Sequence, residues 1–233
     1  MDYQYHYYKS TNRMKKNIGK LHFITYQNTE LSASQQTLNF CAGGGNWVQL
    51  RIKDQTEDAI ISDAHKCNMI CQEYGATFIV NDYVDIAAKV DADGVHLGKN
   101  DISVQEARAI LGEYKIIGAT ANSFEDIENL ANQGVDYIGL GPFRFTDTKK
   151  NLSPVLGIEG YSRIIQSCTD KNIRIPIIAI GGIIPEDFND LFKTGIYGIA
   201  LSSYIAKQDN IGLSTLEVLS ELGKSQSKFF VKR

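Results

Sequence analysis

No stretch of this 233-residue chain stays apolar long enough to cross a bilayer. Its first residues, M-D-Y-Q-Y-H-Y-Y-K, contain no apolar segment of the secretory kind, so a cytoplasmic protein is expected. A basic surplus is missing too. Lys and Arg number 24 against 27 Asp and Glu, a net charge of −3, which argues against a nucleic-acid partner. Any positive charge that matters must therefore be local. Cysteine is scarce, with four in all, and they form no disulfide framework. Cys67 and Cys71 stand one helical turn apart, but no second pair or nearby His completes a zinc set. Reduced core cysteines are the reading that remains.

What is present is ordinary in bulk and regular in order. Hydrophobic residues make up 43% and charged residues 22%, as in soluble globular proteins. Residues 1–19 are Tyr- and Lys-rich without period and read as a loose, peripheral extension. From residue 21 onward, short apolar runs alternate with helical stretches. The runs are Leu21–Tyr26, Trp47–Ile52, Ala76–Val80, Gly94–Leu97, Lys115–Ala119, Tyr137–Leu140, Pro176–Ile180 and Gly198–Leu201. The helices between and after them are expected at Ser32–Ala42, Glu57–Tyr74, Val84–Lys89, Ser103–Leu111, Ser123–Gln133, Gly157–Ser167, Pro185–Lys193 and Ser214–Leu222. Ser103 with Glu106 and Ser123 with Asp126 have capping-box spacing, and Gly75 stops the second helix. Within that helix, Ala59, Ile60, Ala64, Met69 and Ile70 mark the expected core face.

Eight such units predict a closed parallel (βα)8 TIM barrel, which commonly takes about 200–250 residues as one domain. An internal echo supports it: D-A-D-G-V-H-L-G, G-V-D-Y-I-G-L-G and G-I-Y-G-I-A-L-S recur at the fourth, sixth and eighth strands. The expected organisation is an extension at 1–19, a barrel at 20–225 and a tail at 226–233.

In such a barrel the active site gathers at the carboxyl ends of the strands. Strand two delivers Gln49, Arg51 and Lys53 there, and strand three Asn81 and Asp82. Strand four brings Lys99, Asn100 and Asp101, and strand five Thr120 and Asn122. Strand six opens into a loop crowded with hydroxyls and cations, including Thr146, Thr148, Lys149 and Lys150. Strand seven contributes Gly181 and Gly182, and strand eight Ser202 and Ser203. This inventory suits two phosphorylated groups and a divalent metal. Magnesium takes one or two carboxylates plus phosphate oxygens, which Asp82 and Asp101 could supply. Either Asp, taken alone, could instead be a helix N-cap. The glycine pair lets backbone N–H groups approach an anion, or merely eases packing. His22, His96 and Trp47 read as inward-facing core residues.

Several motifs together carry a family. Q-L-R-I-K-D (Gln49–Asp54), N-D (Asn81-Asp82), D-G-V-H-L-G-K-N-D (Asp93–Asp101), G-A-T-A (Gly118–Ala121), G-P-F-R-F-T-D-T-K (Gly141–Lys149), A-I-G-G-I (Ala179–Ile183) and A-L-S-S (Ala200–Ser203) follow in order. The set resembles thiamine phosphate synthase over about residues 20–205. The resemblance implies a transferase that joins 4-amino-2-methyl-5-hydroxymethylpyrimidine diphosphate to a thiazole phosphate, plain or carboxylated. Thiamine phosphate and pyrophosphate are the implied products, and Mg2+ the implied cofactor. Carried over residue by residue, Gln49, Leu50, Arg51, Ile52 and Lys53 with Asn81 hold the pyrimidine diphosphate, Arg51 and Lys53 on its phosphates. Asp82 and Asp101 hold magnesium, and Thr120 stands where the family usually has Ser. Thr146, Asp147 and Thr148 with Gly182, Ser202 and Ser203 bind the thiazole phosphate, while Lys149 takes the pyrophosphate. Lys149, Arg51, Lys53 and Thr120 are the implied catalytic set.

The chain also departs from the pattern. Phe145 replaces a Pro, Arg144 precedes it, and Asp147 adds a negative charge that Arg144 and Lys150 could offset. Asn122 stands where the family often has His. The nearest rival reading, an aminothiazole tautomerase on the same barrel, would want that His for proton transfer. A silent thiamine- or phosphate-binding regulator would have lost the metal acids, and a generic phosphosugar barrel would not need them. The sequence leaves a homo-oligomer open.

Overall fold

The computed structural model describes residues 18–27, 29–145 and 154–230, without the side chains of 226 and 228–230. Thr146, Asp147, Thr148, Lys149 and Lys150 therefore lie outside the described residues, as does most of the N-terminal extension. Eight strands alternate with helices: β1 (Leu21–Ile24), β2 (Trp47–Leu50), β3 (Thr77–Asn81), β4 (Gly94–Leu97), β5 (Ile116–Ala121), β6 (Tyr137–Leu140), β7 (Ile177–Ile180) and β8 (Gly198–Leu201). They pair in parallel and in sequence order, and β1 closes on β8 through Leu21–Ile199, His22–Ala200 and Phe23–Leu201. The expected (βα)8 barrel is the fold.

The connecting helices are α1 (Ala33–Ala42), α2 (Glu57–Tyr74), α3 (Val84–Lys89), α4 (Val104–Leu111), α5 (Phe124–Gln133), α6 (Gly157–Asp170), α7 (Phe188–Lys193, entered through a 3₁₀ turn at Pro185–Asp187), a short α8 (Ser203–Ala206) and α9 (Ile211–Phe230). Local chemistry sets their starts. Ser32 with Gln35, Ser103 with Glu106 and Ser123 with Asp126 each form a full capping box. Gly75, in the left-handed conformation at φ 66°, ends α2.

Three expectations need correction. Met69 does not join the core face of α2; it is 70% exposed, and Ile60, Ala64, Cys67, Asn68 and Cys71 are buried instead. Spacing of 3.6 residues puts 60, 64, 67, 68 and 71 on one stripe and rotates Met69 off it. The final helix starts at Ile211 and runs through Phe230, into the stretch expected as a tail. Its first turns bury Ile211 and Thr215 as the helix packs on α1 and α7, where the polar text around Asn210 hid the start. Ile18 and Gly19 are not loose either. The Tyr197 hydroxyl donates to the Ile18 carbonyl at 2.9 Å, and Lys20 Nζ lies 3.4 Å from the centre of the same ring.

Inside the barrel, side chains alternate by strand. Trp47, Tyr137, Ile24, Ile79, Ile116, Ile178 and Ala200 form an interior apolar cluster separate from the larger one between sheet and helices. The rings of Trp47 and Tyr137 meet edge to face at 4.9 Å between centroids, and His22 stacks on Trp47 at 3.7 Å. Such bulk needs a gap opposite. Gly118 supplies it: a Cβ there would sit 2.0 Å from the Tyr137 ring. This packed plug forms the floor beneath the site.

Candidate active site

At the carboxyl ends of the strands the barrel opens into a cavity of about 470 Å³. Its lining brings together Gln49, Arg51, Lys53, Asn81, Asp82, Asp101 and Thr120 with Gly182, Ser202 and Ser203 from the far side. These are sequence-expected site residues drawn from six strand ends. Leu50 and Ile52 are the exception. Both are buried in the sheet-to-helix core, because alternate residues of an extended chain face opposite ways. Their side chains do not line the cavity.

The segment after β2 is pinned before it reaches the site. Arg51 N–H donates to Thr25 Oγ1 at 2.9 Å, and Lys53 exchanges two main-chain bonds with the Gln27 amide at 2.7 and 2.8 Å. This holds an extended geometry past the strand, so Arg51 and Lys53 both face inward. Lys53 Nζ then meets Asp82 Oδ2 at 2.6 Å.

Asp82 is not a helix cap. Tyr83 holds the N-cap position of α3 and makes no side-chain capping bond. Asp82 instead adopts a left-handed φ of 67°, with its N–H on the His96 carbonyl at 2.9 Å. Asp tolerates that conformation better than most residues, and strain of this kind clusters at working sites. Its carboxyl hydrogen-bonds that of Asp101. Burial, and then the neighbouring Asp82, push the Asp101 carboxyl above its ordinary value, although the Gly98 N–H at 2.6 Å pulls the other way. Gly98 is small for a reason: a Cβ would lie 3.1 Å from Asp101 Oδ2 and 3.9 Å from Asp82 Oδ1.

Lys99 is not available to a ligand in this arrangement. It pairs with Asp126 at 2.6 Å. Burial opposes ionisation of Asp126, but Lys99 and the Asn122 and Ser123 N–H groups hold its carboxyl below the usual value. Asn122 Nδ2 donates to the Gly141 carbonyl at 2.5 Å, tying the end of β5 to the start of the strand-six loop.

On the opposite wall, Gly181 (φ 103°) and Gly182 (φ 65°) make a turn that only glycine adopts without strain. Arg144 closes over it. Its guanidinium is bidentate to Asp187 at 2.8 Å and also donates to the Gly182 carbonyl at 2.8 Å. Arg144, one of the two cations expected to offset Asp147, thus has a built partner elsewhere. Ser202 Oγ is buried in the cavity wall with no hydrogen-bond partner among the described residues. A buried hydroxyl in that state points to a ligand acceptor.

His22 and His96 are core residues, as their sequence context implies, but they also line the cavity floor. Burial, reinforced by His96, drives the His22 pKa well below its ordinary value and keeps it neutral. Tyr137 joins them there. No single-position signal in the sequence marks these three as part of the cavity floor.

The family model described as thiamine monophosphate synthase matches residues 21–205. The chain belongs to the thiamine monophosphate synthase family. It is 48% identical over 208 residues to the thiamine-phosphate synthase of Flavobacterium psychrophilum, covering 88% of this chain and 98% of that one. The Phocaeicola vulgatus thiamine-phosphate synthase is 46% identical, over 89% and 100%. Among solved structures, the thiamine phosphate pyrophosphorylase of Pyrococcus furiosus superposes with a TM-score of 0.79 at 31% identity, covering 91% of this chain and 98% of that one. The family match ends at residue 205, just beyond Ser202 and Ser203, so it spans every strand and its loop. Among the described residues, no helix is long and apolar enough to cross a membrane.

Proposed function

We propose that this barrel condenses 4-amino-2-methyl-5-hydroxymethylpyrimidine diphosphate with a thiazole phosphate, giving thiamine phosphate and pyrophosphate. One observation carries the reading beyond family membership. Two touching carboxylates and two cations stand at one end of the cavity, and at the other a glycine turn with a hydroxyl that has no partner among the described residues. That is the polarity two phosphorylated substrates need when their reactive carbon and nitrogen meet in the middle.

In the proposed reaction the bond from the pyrimidinylmethyl carbon to the diphosphate oxygen breaks first, and its electron pair leaves with pyrophosphate. The thiazole nitrogen lone pair then forms the new C–N bond. Such a departure asks the protein for charge stabilisation rather than covalent help. Arg51 and Lys53 lie against the leaving group, with Thr120 and Asn81 beside them, while Gln49 reaches the pyrimidine from the floor. The apolar wall of Ile24, Ile178 and Ile180 limits water near the cationic carbon. Gly182, Ser202 and Ser203 hold the thiazole phosphate. Thr146, Thr148 and Lys149 complete the two phosphate sites by resemblance alone, and Asp147 lies between them.

Magnesium fits the donor set. No cluster of three or more metal-ligating side chains occurs among the described residues, but Asp82 and Asp101 are two carboxylates in contact. Magnesium usually asks of a protein no more than that, with phosphate oxygens and water completing the shell. When bound there it would neutralise charge on the departing pyrophosphate. The tautomerase alternative loses ground at Asn122, whose amide is a tie to Gly141 rather than a proton-transfer group.

The test is to mix both substrates with magnesium and look for thiamine phosphate. None formed would sink the proposal, and undiminished turnover in a chelator would sink the metal.

A further inference from the structure

Lys99 borders the cavity, but its charge is held outside it. Its Nζ lies 2.6 Å from Asp126 Oδ2, in the first turn of α5, and Asp126 is not part of the cavity lining. The same carboxylate oxygen accepts the Asn122 N–H at 2.8 Å and the Ser123 N–H at 3.1 Å. Helix capping alone asks for less. In the other two serine capping boxes, Gln35 and Glu106 accept only from their own cap residues, Ser32 and Ser103, among the described residues. Asp126 takes in addition a cation from the neighbouring strand-four loop.

That loop also carries Asp101. A Cβ on Gly98 would come 3.1 Å from Asp101 Oδ2 and 3.9 Å from Asp82 Oδ1, so both acids crowd the residue just before Lys99. Adjacent Cα atoms are about 3.8 Å apart, and a lysine stem carries its charge on four flexible carbons. From this backbone position the Lys99 ammonium has the reach to turn to either acid. Lys53 already meets Asp82 at 2.6 Å. A second lysine beside it would match two carboxylates with two ammonium groups, and an entering divalent cation would have to displace both.

We propose that Asp126 is a positioning residue for the carboxylate pair: it draws Lys99 out of the cavity and keeps Asp82 and Asp101 open to a divalent cation. The ion rests on the magnesium reading of the proposed function; the placement of Lys99 does not. Two main-chain N–H groups fix the Asp126 carboxylate, so the lysine meets a partner already oriented for it. The backbone that presents those groups is anchored in turn. Asn122 Nδ2 donates to the Gly141 carbonyl at 2.5 Å, and the Gly141 N–H donates to the Ala121 carbonyl at 3.2 Å.

A double-variant cycle on the full chain separates charge from capping, with Mn2+ as the probe and the free ion read by electron paramagnetic resonance. Asn at position 126 keeps an oxygen for the two N–H groups and loses the charge that holds Lys99. D126N weakens Mn2+ binding about fivefold, the worth of one partly exposed ion pair redirected onto the acids. K99Q binds Mn2+ as the wild-type chain does, because Lys99 is already withdrawn. The double variant K99Q/D126N returns to the K99Q value, and D101N loses the bound ion. Unchanged affinity in D126N, or an equal loss with and without Lys99, overturns the proposal. So does a wild-type chain holding no Mn2+ that D101N releases. Should D126N not fold, D126S removes the same charge and takes its place in the cycle. Synthesis is scored apart. A chain that binds Mn2+ through Asp101 yet makes no thiamine phosphate defeats the proposed function and leaves the role of Asp126 standing.

Discussion

Lys53 Nζ stands 2.6 Å from Asp82 Oδ2, a lysine beyond the end of β2 closed onto a carboxylate at the end of β3. Asp82 also touches Asp101, so one cation answers two neighbouring acids. On the proposed mechanism the lysine turns to the diphosphate when substrate enters, and Asp82 and Asp101 would then be the carboxylates available to a divalent cation. Lys53 and the metal therefore compete for Asp82. In K53Q, kcat should fall roughly a hundredfold, as when one donor to a developing anion is removed. The magnesium concentration giving half-maximal rate should fall too, because the competitor is gone. A magnesium titration checks this, and a raised requirement would show that the lysine helps hold the metal instead.

Asp101 is a carboxyl whose charged form the fold disfavours. Replacing it by Asn removes the like charge beside Asp82 and keeps an oxygen for the Gly98 N–H, which lies 2.6 Å away. D101N should lose magnesium-dependent synthesis and raise Tm, because the like charge beside Asp82 is gone. Thermal unfolding without metal is the measurement. A lowered Tm would mean that the acid is structural.

The Arg144–Asp187 pair holds the glycine turn that, on the proposed function, receives the thiazole phosphate. Asp187 also accepts the Ile184 N–H at 2.9 Å, so the clamp fixes the strand-seven loop from both sides. Its bidentate, charge-assisted geometry is of the stronger kind. R144A should raise KM for the thiazole phosphate about tenfold, one good hydrogen bond's worth, and leave KM for the pyrimidine diphosphate alone. D187N should do the same, and the double variant should add little, since the residues act as a unit. Equal effects on both KM values would mean that the clamp supports the whole mouth.

Cys41, Cys67 and Cys71 pack between α1 and α2, and Cys67 Sγ accepts from Thr37 Oγ1 at 3.4 Å. Burial pushes the Cys67 thiol up to about 12 from an ordinary 9.0. Cys71 is raised as well, chiefly by its hydrogen bond with Cys41. A thiol protonated more tightly in the folded chain favours folding fully below pH 9. That contribution declines as pH rises from about 9 toward 12, because the unfolded chain ionises first. Denaturation midpoints should therefore fall above pH 9, and should fall less in C67A at the same interval. At pH 8 a thiol reagent should label none of the four cysteines in the native chain and all four after unfolding. Rapid native labelling would show that α1 and α2 open locally.

The barrel itself was legible from the sequence because its signals are local. Apolar runs, capping boxes at Ser103 and Ser123, and the stop at Gly75 each depend on residues a few positions apart. The strand ends that supply Arg51, Lys53, Asp82, Asp101, Gly182 and Ser202 were legible for the same reason, once eight units implied closure. Tertiary structure alone decided which of these groups touch. Lys53 and Asp82 are 29 positions apart, Tyr137 and His96 41, and Arg144 and Asp187 43. Spacing within one element cannot report contacts made across neighbouring strands. They arise from barrel register, from Gly118 yielding space to a ring, and from a left-handed turn at Asp82 that no periodicity encodes.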